Sequence, residues 1–174
     1  MHFNFIFYLL FLTIIALVVI FMTTYKKQTQ VDVLKLQNEM NLQKQAYFLP
    51  SKLEAYQRCI ILLDRISPAN LCLRTLQTQL SARAQQSLLI KTVRDEFEHN
   101  IAQQLFVSAE GWQILIQSKE EVLRVINLAS STLSENSTAT ELAAKILEIS
   151  GQVSPFPTEI CRSFLQKEFQ EFIS

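Results

Sequence analysis

The first apolar stretch, Phe3 to Met22, carries no charge and no proline, and little polarity beyond Asn4, Tyr8 and Thr13. About twenty residues at 1.5 Å rise cover roughly 30 Å, the hydrocarbon thickness of a bilayer, so the pattern predicts one membrane-spanning helix. A secretory signal peptide fits less well. It wants a basic start, a shorter apolar core and a small-x-small cleavage site, whereas only His2 and the amino terminus precede the run and its end, Ile20-Phe21-Met22-Thr23-Thr24-Tyr25, offers no Ala-x-Ala. Residues 26–48 then turn polar and Gln-rich, without Gly or Pro. Val33, Leu36, Met40 and Tyr47 fall near a 3-4 spacing interrupted by Gln43. That predicts a helical stalk able to pair with a copy of itself, although two heptads fall short of a self-sufficient coiled coil.

Pro50 predicts a helix break, and Ser51-Lys52-Leu53-Glu54 reads as a capping box opening a new helix striped by Leu53, Tyr56, Ile60, Leu63 and Ile66. Ser67-Pro68 ends it, with Pro68 suited to the first turn of a short following helix. Residues 69–80 form a connector. A helix is expected from near Ser81 to about Phe106, since Leu89, Val93, Phe97, Ile101 and Leu105 repeat every four residues. Ser108 then caps a helix running to about Leu133 through Trp112, Leu115, Val122, Ile126 and Ala129, with Glu110 favourable at its positive end. After the polar loop Ser134-Glu135-Asn136-Ser137, Thr138 and Glu141 form a capping box for a short helix ending at Gly151, a C′ glycine. Pro155 and Pro157 bracket a turn. The last helix carries Ile160, Phe164, Leu165, Phe169 and Phe172, a face expected to pack into the domain.

The expected fold is therefore all-α: a transmembrane anchor over 1–25, a stalk over 26–48, and a domain over 49–174 built as a bundle of about five helices. Scarce Gly and Pro, with abundant Leu, Gln, Glu and Ala, fit that class. Charge adds orientation. Lys26 and Lys27 follow the span and no Lys or Arg precedes it, so the positive-inside rule predicts a cell-membrane protein with its N-terminus outside and the large domain cytoplasmic. Tyr25, Lys26 and Lys27 would then sit at the membrane interface. Residues 26–94 hold eleven basic and four acidic side chains, a net of +7, and residues 95–174 hold five and twelve, a net of −7. A basic half could face anionic headgroups, or the halves could simply complement each other within one bundle. Nucleic acid is a poor partner for such a chain. Cys59, Cys72 and Cys161 are odd in number and widely spaced, which suggests buried thiols in a reducing compartment rather than disulfides or a zinc site.

The densest cluster of titratable groups is Arg94, Asp95, Glu96, Glu98 and His99. Glu96 and His99, three apart, share a helix face in half of a di-iron carboxylate motif, but His2 is the only other histidine and cannot complete it. Glu96 and His99 remain the candidate metal ligands. The alternatives are a solvated face with Asp95 paired to His99, or a structural polar knot in which Arg94 or His99 satisfies a neighbouring element. No phosphate loop, no nucleophile elbow and no Cys/His dyad is present, so no catalytic residue and no cofactor is expected.

The segments Leu49-Pro50-Ser51-Lys52-Leu53-Glu54-Ala55-Tyr56, Ile66-Ser67-Pro68, Glu96-Phe97-Glu98-His99-Asn100-Ile101-Ala102-Gln103-Gln104 and Lys119-Glu120-Glu121-Val122 resemble a family of uncharacterised bacterial proteins with one N-terminal span and a helical domain. The resemblance covers nearly the whole chain. It implies a bacterial inner-membrane location and transfers no activity. The expected function is a membrane-anchored, non-enzymatic interaction or scaffold module. Its expected partners are the bilayer through residues 3–22, an unidentified membrane or cytoplasmic protein, and a second copy through span and stalk. The alternative is a metal-binding or enzymatic domain using Glu96, Glu98 and His99.

Overall fold

The computed structural model describes residues 2–173; within the first helix the side chains of residues 2–11, and of several others up to residue 45, lie outside the described residues. Helix α1 covers His2–Ile66, α2 Pro68–Thr75, α3 Ala82–His99, α4 Ala109–Ser131, α5 Ala139–Gly151 and α6 Pro157–Ile173, with a 3-10 turn at Ile101–Leu105 between α3 and α4. The chain divides into two units, Met1–Leu49 and Pro50–Ser174.

The expected break at Pro50 does not occur, because α1 continues through it. Proline removes one backbone donor and crowds the carbonyl four residues back. Here the helix continues despite that loss. Glu54, expected to cap a new helix, instead accepts from Arg58 at 2.8 Å, one turn on.

The expected membrane span falls largely on side chains outside the described residues. Among the described residues no helix is long and apolar enough to cross a membrane. The transmembrane anchor, the single-pass inner-membrane placement and the inside-outside orientation are corrected accordingly. Tyr25, Lys26 and Lys27 are exposed side chains on α1, with no span among the described residues for them to flank.

In the second unit, α4 lies at the centre and packs against α3, α5 and α6. Its buried residues Gly111, Leu115, Ser118, Val122, Val125, Ile126 and Ala129 recur at three- and four-residue steps, which places them on one face. Residues 55–66 of α1 add Tyr56, Cys59, Leu62, Leu63 and Ile66 to the same core. Truncating one of the fully buried leucines to alanine costs about 2–5 kcal/mol at such sites. Helix α2, with Pro68 in its first turn, packs on α3 and α5. The region expected as a connector is thus half helix.

Three helix starts follow their caps. Ser81 accepts from Ala84 N–H, Ser108 from Gly111 N–H, and Thr138 with Glu141 forms a reciprocal capping box. The starts of α3 and α5 are also tied together. Ala82 N–H donates to the Ser137 carbonyl at 2.9 Å and Ala139 N–H to the Leu80 carbonyl at 3.1 Å, which satisfies two first-turn donors that an isolated helix would leave open.

Helix α3 stops at His99 rather than near Phe106. The Asn100 side chain donates to the Glu96 carbonyl at 2.8 Å and closes the last turn. Leu89 and Val93 stay in the core with Phe97 against it. Ile101 and Leu105, expected to continue the stripe, sit on the 3-10 turn and are exposed. Gly151 ends α5 without a positive φ, so it is not the left-handed cap expected from sequence.

Candidate functional site

Helix α3 divides the Arg94–His99 cluster between two directions. Glu96 Oε1 accepts from Arg65 Nε of α1 at 2.7 Å and lies 3.5 Å from an Arg74 guanidinium nitrogen of α2. That Arg74 nitrogen also donates to the Arg65 carbonyl at 3.0 Å. One carboxylate therefore joins residues of α1, α2 and α3. The residue of this cluster that reaches other helices is Glu96, whereas the sequence pattern assigns that role to Arg94 or His99. Its arginine partners lie 31 and 22 positions away, beyond the reach of local pattern.

The rest of the cluster faces outward. Arg94, Glu98 and His99 are exposed. His99 Nδ1 lies 2.7 Å from the Asp95 carbonyl, and the Asp95 carboxylate lies 2.5 Å from Lys91 Nζ. This hydrogen bond, then the charge of Asp95, raises the Lys91 pKa. The helix-face pairing expected between Asp95 and His99 is replaced by Lys91 with Asp95. Glu96 is committed to two arginines, and no group of three His, Cys, Asp or Glu residues among the described residues could hold a metal.

A second polar cluster was not anticipated. Glu168 of α6 accepts from the Tyr56 hydroxyl, from Ser108 N–H at 3.1 Å and from Ser108 Oγ at 2.9 Å. The carboxylate thus sits at the N-terminal end of α4, where the helix dipole favours negative charge. Burial, then the Glu168 hydrogen bond and charge, push the Tyr56 pKa above its ordinary range. Cys59 and Cys161, both fully buried, are pushed up to about 12 and about 11, chiefly by burial. Thiols held protonated in this way are poor nucleophiles near neutrality. The cluster ties α1, α4 and α6 together and carries no activated group. A sequence signal for it existed: Glu168 interrupts the stripe Cys161, Leu165, Phe172 of the last helix, where an apolar residue would be expected.

The described residues also form two apolar grooves. In the second unit, a groove of about 360 Å³ is lined by Leu53, Tyr56, Ile60, Ile61, Leu165 and Phe169. In the first unit, every described side chain from Leu34 to Leu49 is exposed. Leu34, Leu36, Leu42 and Tyr47 are each at least 60 % exposed. Met40, Gln43, Lys44, Tyr47 and Phe48 line a shallow groove of about 340 Å³.

The model of a family of unknown function (DUF7935) matches residues 2–172, and the chain belongs to that family. No curated protein and no solved structure matches the chain.

Proposed function

We propose that this member of DUF7935 is a non-enzymatic helical interaction module whose N-terminal helical segment supplies the contact surface. One observation carries the reading: residues 34–49 form helix with every described side chain exposed, including Leu34, Leu36, Met40, Leu42, Tyr47 and Phe48. A lone helix gains most of its stability by burying an apolar face. Among the described residues of its own unit, none covers that face. The second unit supports the same reading, because its thiols and Tyr56 are held protonated and Glu96 and Glu168 are bound in structural clusters.

Affinity purification of the full-length protein in mild detergent, with mass spectrometry of what accompanies it, tests the proposal. The expected result, with an untagged copy co-expressed beside the tagged one, is a stoichiometric companion chain (another protein or the untagged copy), lost when Leu36 and Met40 are both changed to Gln. A clean preparation with an activity or a bound metal abolished by His99→Ala would favour the enzymatic alternative built on Glu96, Glu98 and His99.

A further inference from the structure

We propose that residues 12–47 of α1 pair with the same segment of a second copy of this chain as a parallel, in-register two-stranded coiled coil. This rests on the interaction reading above and names the partner.

The register is set by Met40 and Tyr47, seven residues apart. Extending it in both directions places Leu12, Met40 and Tyr47 at a positions and Ile15, Met22 and Leu36 at d positions. All six side chains are exposed within the chain, from 48 % for Ile15 to 79 % for Tyr47. The register therefore covers about five heptads, beyond the three or four that a coiled coil needs. Lys26 occupies an a position, and Thr29 and Gln43 occupy d positions. Polar core residues of this kind fix register at some cost in stability.

Two observations point to a facing helix on this seam, and the second of them to a copy of this chain. The first is shape. Four residues of the groove in this unit, Met40, Gln43, Lys44 and Tyr47, stand at i, i+3, i+4 and i+7. That diamond is the hole into which a d-position knob of a facing helix fits, and in a symmetric pair the knob is the partner's Gln43. The second is charge. Glu39 falls at g and Lys44 at e, five residues on. In a parallel in-register pair each Glu39 faces the partner's Lys44, giving two complementary contacts related by symmetry. An antiparallel pair would bring g positions to g and e positions to e, and would lose that match.

Sedimentation equilibrium of the full-length chain, combined with a charge-swap cycle, tests this. The expected mass is twice that of one chain. Glu39→Lys or Lys44→Glu alone replaces two attractions by two repulsions and should weaken association about tenfold. The double variant should restore it. In parallel, Met40→Cys should cross-link copies under mild oxidation while Leu42→Cys, off the seam, should not; the native Cys59, Cys72 and Cys161 are buried and do not compete. A monomer mass, a double variant no better than the single ones, or equal cross-linking from both cysteine variants would overturn the proposal. A monomer that still captures a companion through Leu36 and Met40 would overturn the self-pairing and leave the interaction reading standing.

Discussion

The Tyr56 hydroxyl donates to the Glu168 carboxylate, joining α1 to α6 across 112 positions of sequence. The same carboxylate accepts twice from Ser108, so one side chain completes the polar satisfaction of three helices. Tyr56→Phe keeps the ring against Phe169, 5.2 Å away between centroids, and removes only the donor. It should cost about 1.5–3 kcal/mol, the range for a hydrogen bond to a charged acceptor. Urea denaturation at neutral pH would measure it. A variant as stable as the parent would show that water replaces the hydroxyl at no cost.

Stability should fall on the alkaline side. Burial raises Cys59, Cys72 and Cys161 from an ordinary 9.0 to about 12, about 11 and about 11. Raised native values mean that the unfolded chain releases these protons first. The stabilisation is therefore present in full below pH 9 and is lost as pH rises towards 11 and 12. Each thiol contributes at most about 1.4 kcal/mol per pH unit in that window. Urea midpoints at pH 8, 9, 10 and 11 should decline, and Cys72→Ala should shallow the decline. A flat profile would contradict the burial of the thiols.

The two glycines should respond in opposite directions to alanine. A Cβ on Gly111 would stand 2.8 Å from Glu168 Oε2, 3.0 Å from Leu165 Cδ2 and 3.1 Å from Val107 Cγ1. Gly111→Ala should therefore destabilise by about 1–3 kcal/mol. Gly151 has open space and no positive φ, so Gly151→Ala should gain roughly 0.5–1 kcal/mol from helix propensity. Thermal melts of the two variants would compare them directly.

Glu96 and His99 should separate in the same way. Glu96→Gln weakens contacts to Arg65 and Arg74. These arginines are 47 % and 37 % exposed, which limits the loss to about 1 kcal/mol. His99→Ala removes an exposed ring and should stay within about 0.5 kcal/mol of the parent. Paired melting curves decide between them. A large loss at His99 would restore it as the centre of the cluster.

Much of the second unit was legible from local pattern. The caps at Ser81, Ser108 and Thr138 start helices where sequence places them, because a capping side chain and the amides it satisfies lie within one turn. The core face of α4 was legible for the same reason: its period is a local property of the backbone. The early end of α3 was less visible, since the Asn100 side chain outcompetes a stripe that is itself correctly spaced. The polar centres were least visible. Arg65 and Arg74 reach Glu96, and Tyr56 and Ser108 reach Glu168, only when distant helices dock.

Apolar spacing and capping chemistry by themselves determined that this chain is helical and where most of its helices begin. The long apolar run also suggested a membrane span that no helix among the described residues supports. The tertiary structure alone decided which charged groups act together and which side chains of α1 remain uncovered. Helix formation depends on neighbours within about four residues, whereas burial and ion pairing depend on which faces meet, and those faces come from segments far apart in the chain.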